Sequence, residues 1–186
     1  MKTKKLLLLS AASVLLLSGC AKEITAVDAK KHADEHYSLE EANAKYSGGK
    51  VTTVTKTTKS EGLFEKLYPL GEKTEGPTSV SVTSTGIITS NDIDEKDSEY
   101  KYFLDGNSLS AESVLTGEKL ALALGLESGS ESVKGELKSS WKVNEVGLPV
   151  KIEVYINAEV NYSVGGISVT GAIDYSNVTT YTWEAK

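Results

Sequence analysis

From Pro149 onward the chain alternates apolar and polar residues so strictly that one architecture follows. In "PVKIEVYINAEVNYSV", Val150, Ile152, Val154, Ile156, Ala158, Val160, Tyr162 and Val164 share one face. Lys151, Glu153, Asn157, Glu159, Asn161 and Ser163 take the other. Period two with one apolar side means a strand with one buried and one wet face. Gly165-Gly166 follows, the composition of a two-residue hairpin turn. Folding the chain about these glycines sets Val164 against Ile167, Tyr162 against Val169, Ala158 against Ile173 and Ile156 against Tyr175. The same register continues to Val150 with Tyr181 and Leu148 with Trp183. Polar residues pair as well, Asn161 with Thr170 and Asn157 with Asp174. A slip of one residue turns every apolar side chain to the wrong face, so the register specifies itself. Ser176-Asn177 offers a second turn, but parity survives past it, which favours an unbroken strand. Each arm spans about 16 residues, roughly 50 Å at 3.3 Å per residue. Strands of that length coil and bend, and Gly171 is the natural corner.

Upstream the composition shifts twice. Residues 25–46, "TAVDAKKHADEHYSLEEANAKY", are rich in Ala, Glu and Lys and favour helix. Ser38-Leu39-Glu40-Glu41 reads as a capping box and divides this stretch into a helix to about Tyr37 and a shorter one to Tyr46. Gly48-Gly49 then ends helix. From Lys50 the chain turns to Thr, Val and Ser. "KVTTVTKTTK", "TSVSVTSTGIITS" and "EYKYFLD" predict strands. Residues 62–69 suit a helical turn, and residues 111–125 fit helix or strand equally.

The first 20 residues have another logic. A basic start, Met1 to Lys5, precedes the apolar run "LLLLSAASVLLLSG" and the chain's one cysteine, Cys20. This is the pattern of a secretory signal, too short for a membrane span of roughly 20 apolar residues. Leu17-Ser18-Gly19-Cys20 resembles the lipobox of bacterial lipoproteins. The resemblance implies a diacylglyceryl group on the Cys20 thiol, cleavage before it, and palmitate-type acylation holding the protein to its membrane. The implied layout is a signal peptide (1–19), a short lipidated tether (20–24) and a single domain (25–186). It places the protein in the cell envelope, on the outer side of the cytoplasmic membrane or in the outer membrane, and Ala21 does not decide which. Two acyl chains suffice as an anchor without a protein span.

Charge narrows the partners. Without the signal, 17 lysines stand against 26 acidic residues, a net charge of −9, and arginine is absent. Such a body is repelled by nucleic acid and by anionic lipid, and it lacks the bidentate clamp for phosphate. No phosphate loop or dinucleotide fingerprint is present, and no serine sits in a hydrolase elbow. No cofactor is expected. His32-Ala33-Asp34-Glu35-His36 matches H-x-x-E-H, in which His32 and His36 would share zinc and Glu35 would act as base. No third ligand stands out, so the favoured reading is two solvated histidines on a charged helix, with no catalytic or metal site. "SNDIDEKDSEY" (90–100) gathers five acids but fails the EF-hand spacing and reads as a solvated loop.

"WKVNEVGLPVKIEVYI" (141–156) resembles a feature of LolA/LppX-like half-barrel envelope lipoproteins. In them a Trp-bearing strand passes through a polar turn and Gly-Leu-Pro into a long curved strand. The resemblance implies an α+β fold in which N-terminal helices pack on a long, curved, half-barrel-like antiparallel sheet. It also implies a concave face that holds acyl chains. The residues that would line that face are Val154, Ile156, Val160, Tyr162, Val169, Ile173 and Tyr175. Two readings follow. If helices cover the face only partly, the cleft binds a lipid or other apolar ligand. If they cover it fully, it is a core, and the protein works as a structural or interaction lipoprotein.

Overall fold

A computed structural model describes residues 21–96, 99–126, 133–164 and 167–186; the side chains of 162–164 lie outside that description. The signal segment and Cys20 fall outside the described residues too. The elements are β1 (Lys22–Ile24), α1 (Ala26–His36), α2 (Leu39–Lys45), β2 (Tyr46–Gly62), β3 (Gly71–Val80) and α3 (Val82–Thr85). A 3₁₀ turn (Ser90–Asp92), β4 (Tyr100–Asp105), β5 (Ser108–Leu115), α4 (Gly117–Ala123), β6 (Val133–Val143), β7 (Pro149–Val164) and β8 (Ile167–Ala185) complete the chain.

All eight strands form one open sheet in the order β1-β4-β5-β6-β7-β8-β2-β3, with four helices, an α+β fold. Every neighbouring pair is antiparallel. Strands β4 to β8 follow one another as a meander. The β7–β8 hairpin keeps one register from Lys151↔Thr180 to Val164↔Ile167, as alternation requires, and β8 runs unbroken through Ser176-Asn177. The non-local step is β2, which pairs along β8 from Tyr46↔Ala185 to Gly62↔Gly171. The chain therefore starts on one edge at β1 and next enters the sheet as the seventh strand. Helices α1 and α2 lie on the path between.

The helix boundaries obey local capping. Thr25 accepts the Asp28 N–H, and Ser38 accepts the Glu41 N–H at 3.1 Å. Only this half of the expected capping box at Ser38 is formed. Residues 111–125 turn out to be both options in sequence, strand to Leu115 and then helix α4. The 62–69 stretch makes the expected turn, with the Tyr68 N–H bonded to Phe64 O at 2.9 Å.

Two expectations are corrected. Gly48-Gly49 do not end a helix: α2 stops at Lys45, and both glycines lie inside β2. A Cβ at Gly49 would stand 2.6 Å from the Thr182 carbonyl and 2.9 Å from the Trp183 ring, so the glycine makes room for the β8 backbone and the indole. The run 78–90 is not one strand, because Ser81 and Ser84 form a reciprocal capping box and wind Val82–Thr85 into a helical turn. Gly171, the expected corner, also has a packing role. Its Cβ would meet Leu63 at 2.9 Å and Phe64 at 3.0 Å, so it lets the 63–68 turn sit directly on the sheet. Breaks in register come at Tyr46/Gly48, Val51/Thr53 and Thr57/Lys59 on β2 and at Lys142/Val143 on β6.

Apolar packing falls into three clusters. Phe64, Leu120, Ala121 and Leu126 cover Val133, Ile156, Ala158, Val160 and Ile173 near the hairpin tip. Ala29, Ala33 and Tyr37 of α1 join Ile93, Tyr102, Leu109, Ala111 and Val143. Ala42 and Val82 pack with Val146 and Leu148, flanked by Tyr46 and Trp183.

Tyr37 ties these parts together. Its hydroxyl donates to Asn107 O at 2.8 Å and accepts the Leu109 N–H at 3.0 Å. Burial, the dominant effect, raises its pKa. The ring lies against Gly147, whose φ is +82° and whose Cβ would stand 2.7 Å from Tyr37 Cγ. Left-handed backbone and overpacking act together there, so Gly147→Ala is expected to cost about 2–4 kcal/mol. Urea unfolding measures this, and a loss below about 1 kcal/mol would mean that the ring yields freely.

Candidate functional site

The seven residues expected to line a concave face do not all face open space. Ile156, Val160 and Ile173 are 5%, 3% and 1% exposed, and the chain's own Phe64, Leu120 and Leu126 lie in their cluster. Val154 and Tyr175 flank that cluster half-buried, with Tyr175 against Tyr68 at a ring separation of 4.9 Å. Val169 is half-buried near the tip, and the Tyr162 side chain lies outside the described part. A ligand over Ile156, Val160 and Ile173 would first have to displace α4 and the 63–68 turn.

Beyond this cap the same face opens. Register aligns Ser139, Val154, Asn177 and Thr55 in one row across β6, β7, β8 and β2. Trp141, Ile152, Thr179 and Thr53 make the next. Ile152 is 40% exposed, and it, Ser139, Thr179 and Thr53 belong to none of the three clusters. Toward the β7 N-terminus the face closes again at Leu148 and Trp183.

The band has two characters. Its β6–β7 half offers Trp141, Ile152 and Val154. Its β8–β2 half is hydroxyl and amide, with Asn177 Nδ2 donating to Thr55 Oγ1 at 2.9 Å and the Thr53 and Thr179 hydroxyls 2.9 Å apart. Four strands at 4.8 Å spacing make it about 15–20 Å wide. Sequence reasoning placed Ile152 and Val154 of this band on the apolar face. Which stretch of that face stays bare depends on where helix and turn settle.

The opposite face carries a polar hollow of about 460 Å³ near the tip, bordered by Lys59, Glu61, Lys134 and Glu159. Its charges satisfy one another in part, with Lys59 Nζ 3.3 Å from Glu159.

His32 and His36 do not behave as two solvated residues. His32 is 8% exposed, with Nε2 3.3 Å from Asn107 O, and its ring meets Tyr37 edge-on at 5.4 Å. His36 stacks on it at 4.3 Å and places Nδ1 3.1 Å from His32 O. One ring nitrogen of each histidine thus contacts a backbone carbonyl. Among the described residues no three His, Cys, Asp or Glu side chains come together as metal ligands. The acidic loop is also more structured than its composition implied. Ile93 is buried, Glu95 pairs with Lys30 at 3.1 Å, and Glu99 pairs with Lys119.

The Asn144–Pro149 turn is built as a unit. Asn144 Oδ1 accepts the N–H groups of Val146 and Leu148 at 3.1 and 3.0 Å. Glu145 accepts from the Tyr46 hydroxyl at 3.0 Å and from Lys45 Nζ at 3.3 Å.

Comparison with protein-family models, with curated proteins and with solved structures finds no significant match. Among the described residues no helix is long and apolar enough to cross a membrane.

Glu145 is held below the usual carboxylate range, first by its own backbone N–H and then by Tyr46 and Lys45, against partial burial. A lowered folded-state pKa gives stability that is present above the ordinary carboxylate value and is lost as pH falls through the lowered one. Tyr46→Phe is therefore expected to lower the melting temperature at pH 7 and to lower it less at acid pH, as Glu145 becomes protonated. An equal deficit at both pH values would show that the Tyr46 hydroxyl acts independently of the carboxylate.

Proposed function

We infer that the protein is a lipid-anchored cell-envelope lipoprotein, held at its membrane through Cys20, that serves as a non-catalytic binding module. Its sheet is a curved half-barrel with the N-terminal helices packed on it. Its ligand is a lipid or other amphiphile lying across the bare band. The observation that carries this reading is Ile152, a large aliphatic residue 40% exposed in mid-sheet between stretches where the same face is filled. An apolar stripe beside a hydroxyl stripe suits a molecule with an aliphatic part and a polar part. The lipid site is thus shifted from Ile156, Val160 and Ile173 to Trp141, Ile152 and Val154.

A second reading has its own support. The same three buried residues make a filled core, which fits a structural or interaction lipoprotein working through its acidic surface.

Native mass spectrometry of the protein purified without its anchor separates the two. Co-purifying aliphatic ligand that is lost in Ile152→Glu supports binding, since an exposed position tolerates the charge within about 1 kcal/mol. An empty, compact protein supports the second reading. For the anchor, the unaltered protein is expected in the detergent phase and Cys20→Ser in the aqueous phase; equal partitioning of both would remove the acyl group.

A further inference from the structure

A cavity of about 130 Å³ lies at the margin of the band, lined by Asp92, Asp94, Tyr100, Tyr102 and Trp141. Its walls are three electron-rich rings and two carboxylates, with no lysine among them. Register explains the convergence. Trp141 pairs with Ala111 and Ala111 with Tyr102, while Ser139 pairs with Ser113 and Ser113 with Tyr100, so all three rings stand on one face. Tyr100 and Tyr102 have centroids 6.3 Å apart at 35°, and Tyr102 meets Trp141 at 6.3 Å and 65°. Rings inclined in this way form the walls of a box rather than a flat stack.

The acids are held in place. Asp92 Oδ2 accepts both the backbone N–H and the hydroxyl of Thr89, each at 2.8 Å, which closes the 3₁₀ turn. Asp94 Oδ1 accepts the Lys96 N–H at 2.9 Å. Ile93 between them is 2% exposed and anchors the loop in the α1 cluster. Lys30 and Lys119 pair with Glu95 and Glu99, and the exposed Asp92 and Asp94 border the cavity.

Aromatic faces and carboxylates both favour positive charge. A cation within ~6 Å of a ring centroid gains from the ring quadrupole. A calcium ion wants six to eight oxygen ligands, which two carboxylates beside three rings do not supply. An alkylated ammonium ion fits better, because its charge is spread over methyl groups that are themselves apolar. The cavity has room for a group of roughly five heavy atoms. We propose that this box of Asp92, Asp94, Tyr100, Tyr102 and Trp141 binds an alkylated ammonium group, free or carried on a lipid headgroup. The excess of acids over lysines in the chain draws cations toward it. The site does not depend on an aliphatic ligand at Ile152.

The test is an NMR titration of the protein in an uncharged detergent, reading the Trp141 indole signal, which Trp183→Phe assigns. Tetramethylammonium chloride is expected to shift that signal saturably at millimolar concentration, and tert-butanol, a neutral molecule of similar shape, is not. Tyr100→Ala and the exposed Asp94→Asn are each expected to weaken binding by about fivefold. Phosphatidylcholine vesicles that compete with tetramethylammonium, where phosphatidylglycerol vesicles do not, assign the headgroup; failure of both to compete assigns a soluble amine. No saturable shift, an equal response to tert-butanol, unchanged affinity in both variants, or displacement by calcium at lower concentration would overturn the proposal.

Discussion

A lone sheet has no second sheet to pack against, so its apolar face must be covered by helices and turns. That constraint shapes the whole molecule. Eight strands present a broad face, and among the described residues four short helices, the 63–68 turn and Ile87, Ile88 and Ile93 pack onto it. Cover is concentrated where apolar side chains are largest. Phe64 and α4 close the hairpin end, and α1, α2 and α3 close the other. Helix is scarce in between, and there the β8–β2 half of the face turns to Thr and Asn while Trp141, Ile152 and Val154 stay on the β6–β7 half. The bare band is therefore where both the covering elements and the need for cover diminish together.

The closed ends are secured by polar contacts at few points. Tyr37 bonds to Asn107 in the β4–β5 turn and to Leu109 on β5 while its ring rests on Gly147. His32 adds a second contact to the same Asn107 carbonyl. Trp183 donates its indole N–H to Pro149 O at 2.7 Å, linking the end of β8 to the start of β7. These bonds lie where helices meet turns, and there backbone groups would otherwise be left without partners.

Local rules read well. The β7–β8 register was legible because two residues of glycine set the fold-back point and parity then admits one pairing. The helix boundaries at Thr25 and Ser38 were legible because a cap needs only a hydroxyl and the N–H three residues on. What failed was any inference in which a distant partner decides. Gly49 looked like a helix terminator, yet its reason is Trp183, far along the chain. One miss was local: Val82–Thr85 reads as strand by propensity, and the hydroxyls of Ser81 and Ser84 overrule it. His32 looked solvated because its neighbours in sequence are charged, and only packing beside Tyr37 buries it. The aromatic box was not foreseen, since Tyr100, Tyr102 and Trp141 come together only through the pairing of β4, β5 and β6.

By itself the sequence determined which side of each long strand is apolar, where the chain doubles back, and where its helices begin, because period, glycine and caps act over a few residues. Tertiary structure alone decided that β2 inserts beside β8, which apolar side chains are covered, and which aromatic and acidic groups share a cavity. Those outcomes turn on contacts between segments up to a hundred or more residues apart, and such contacts leave no mark on any local stretch.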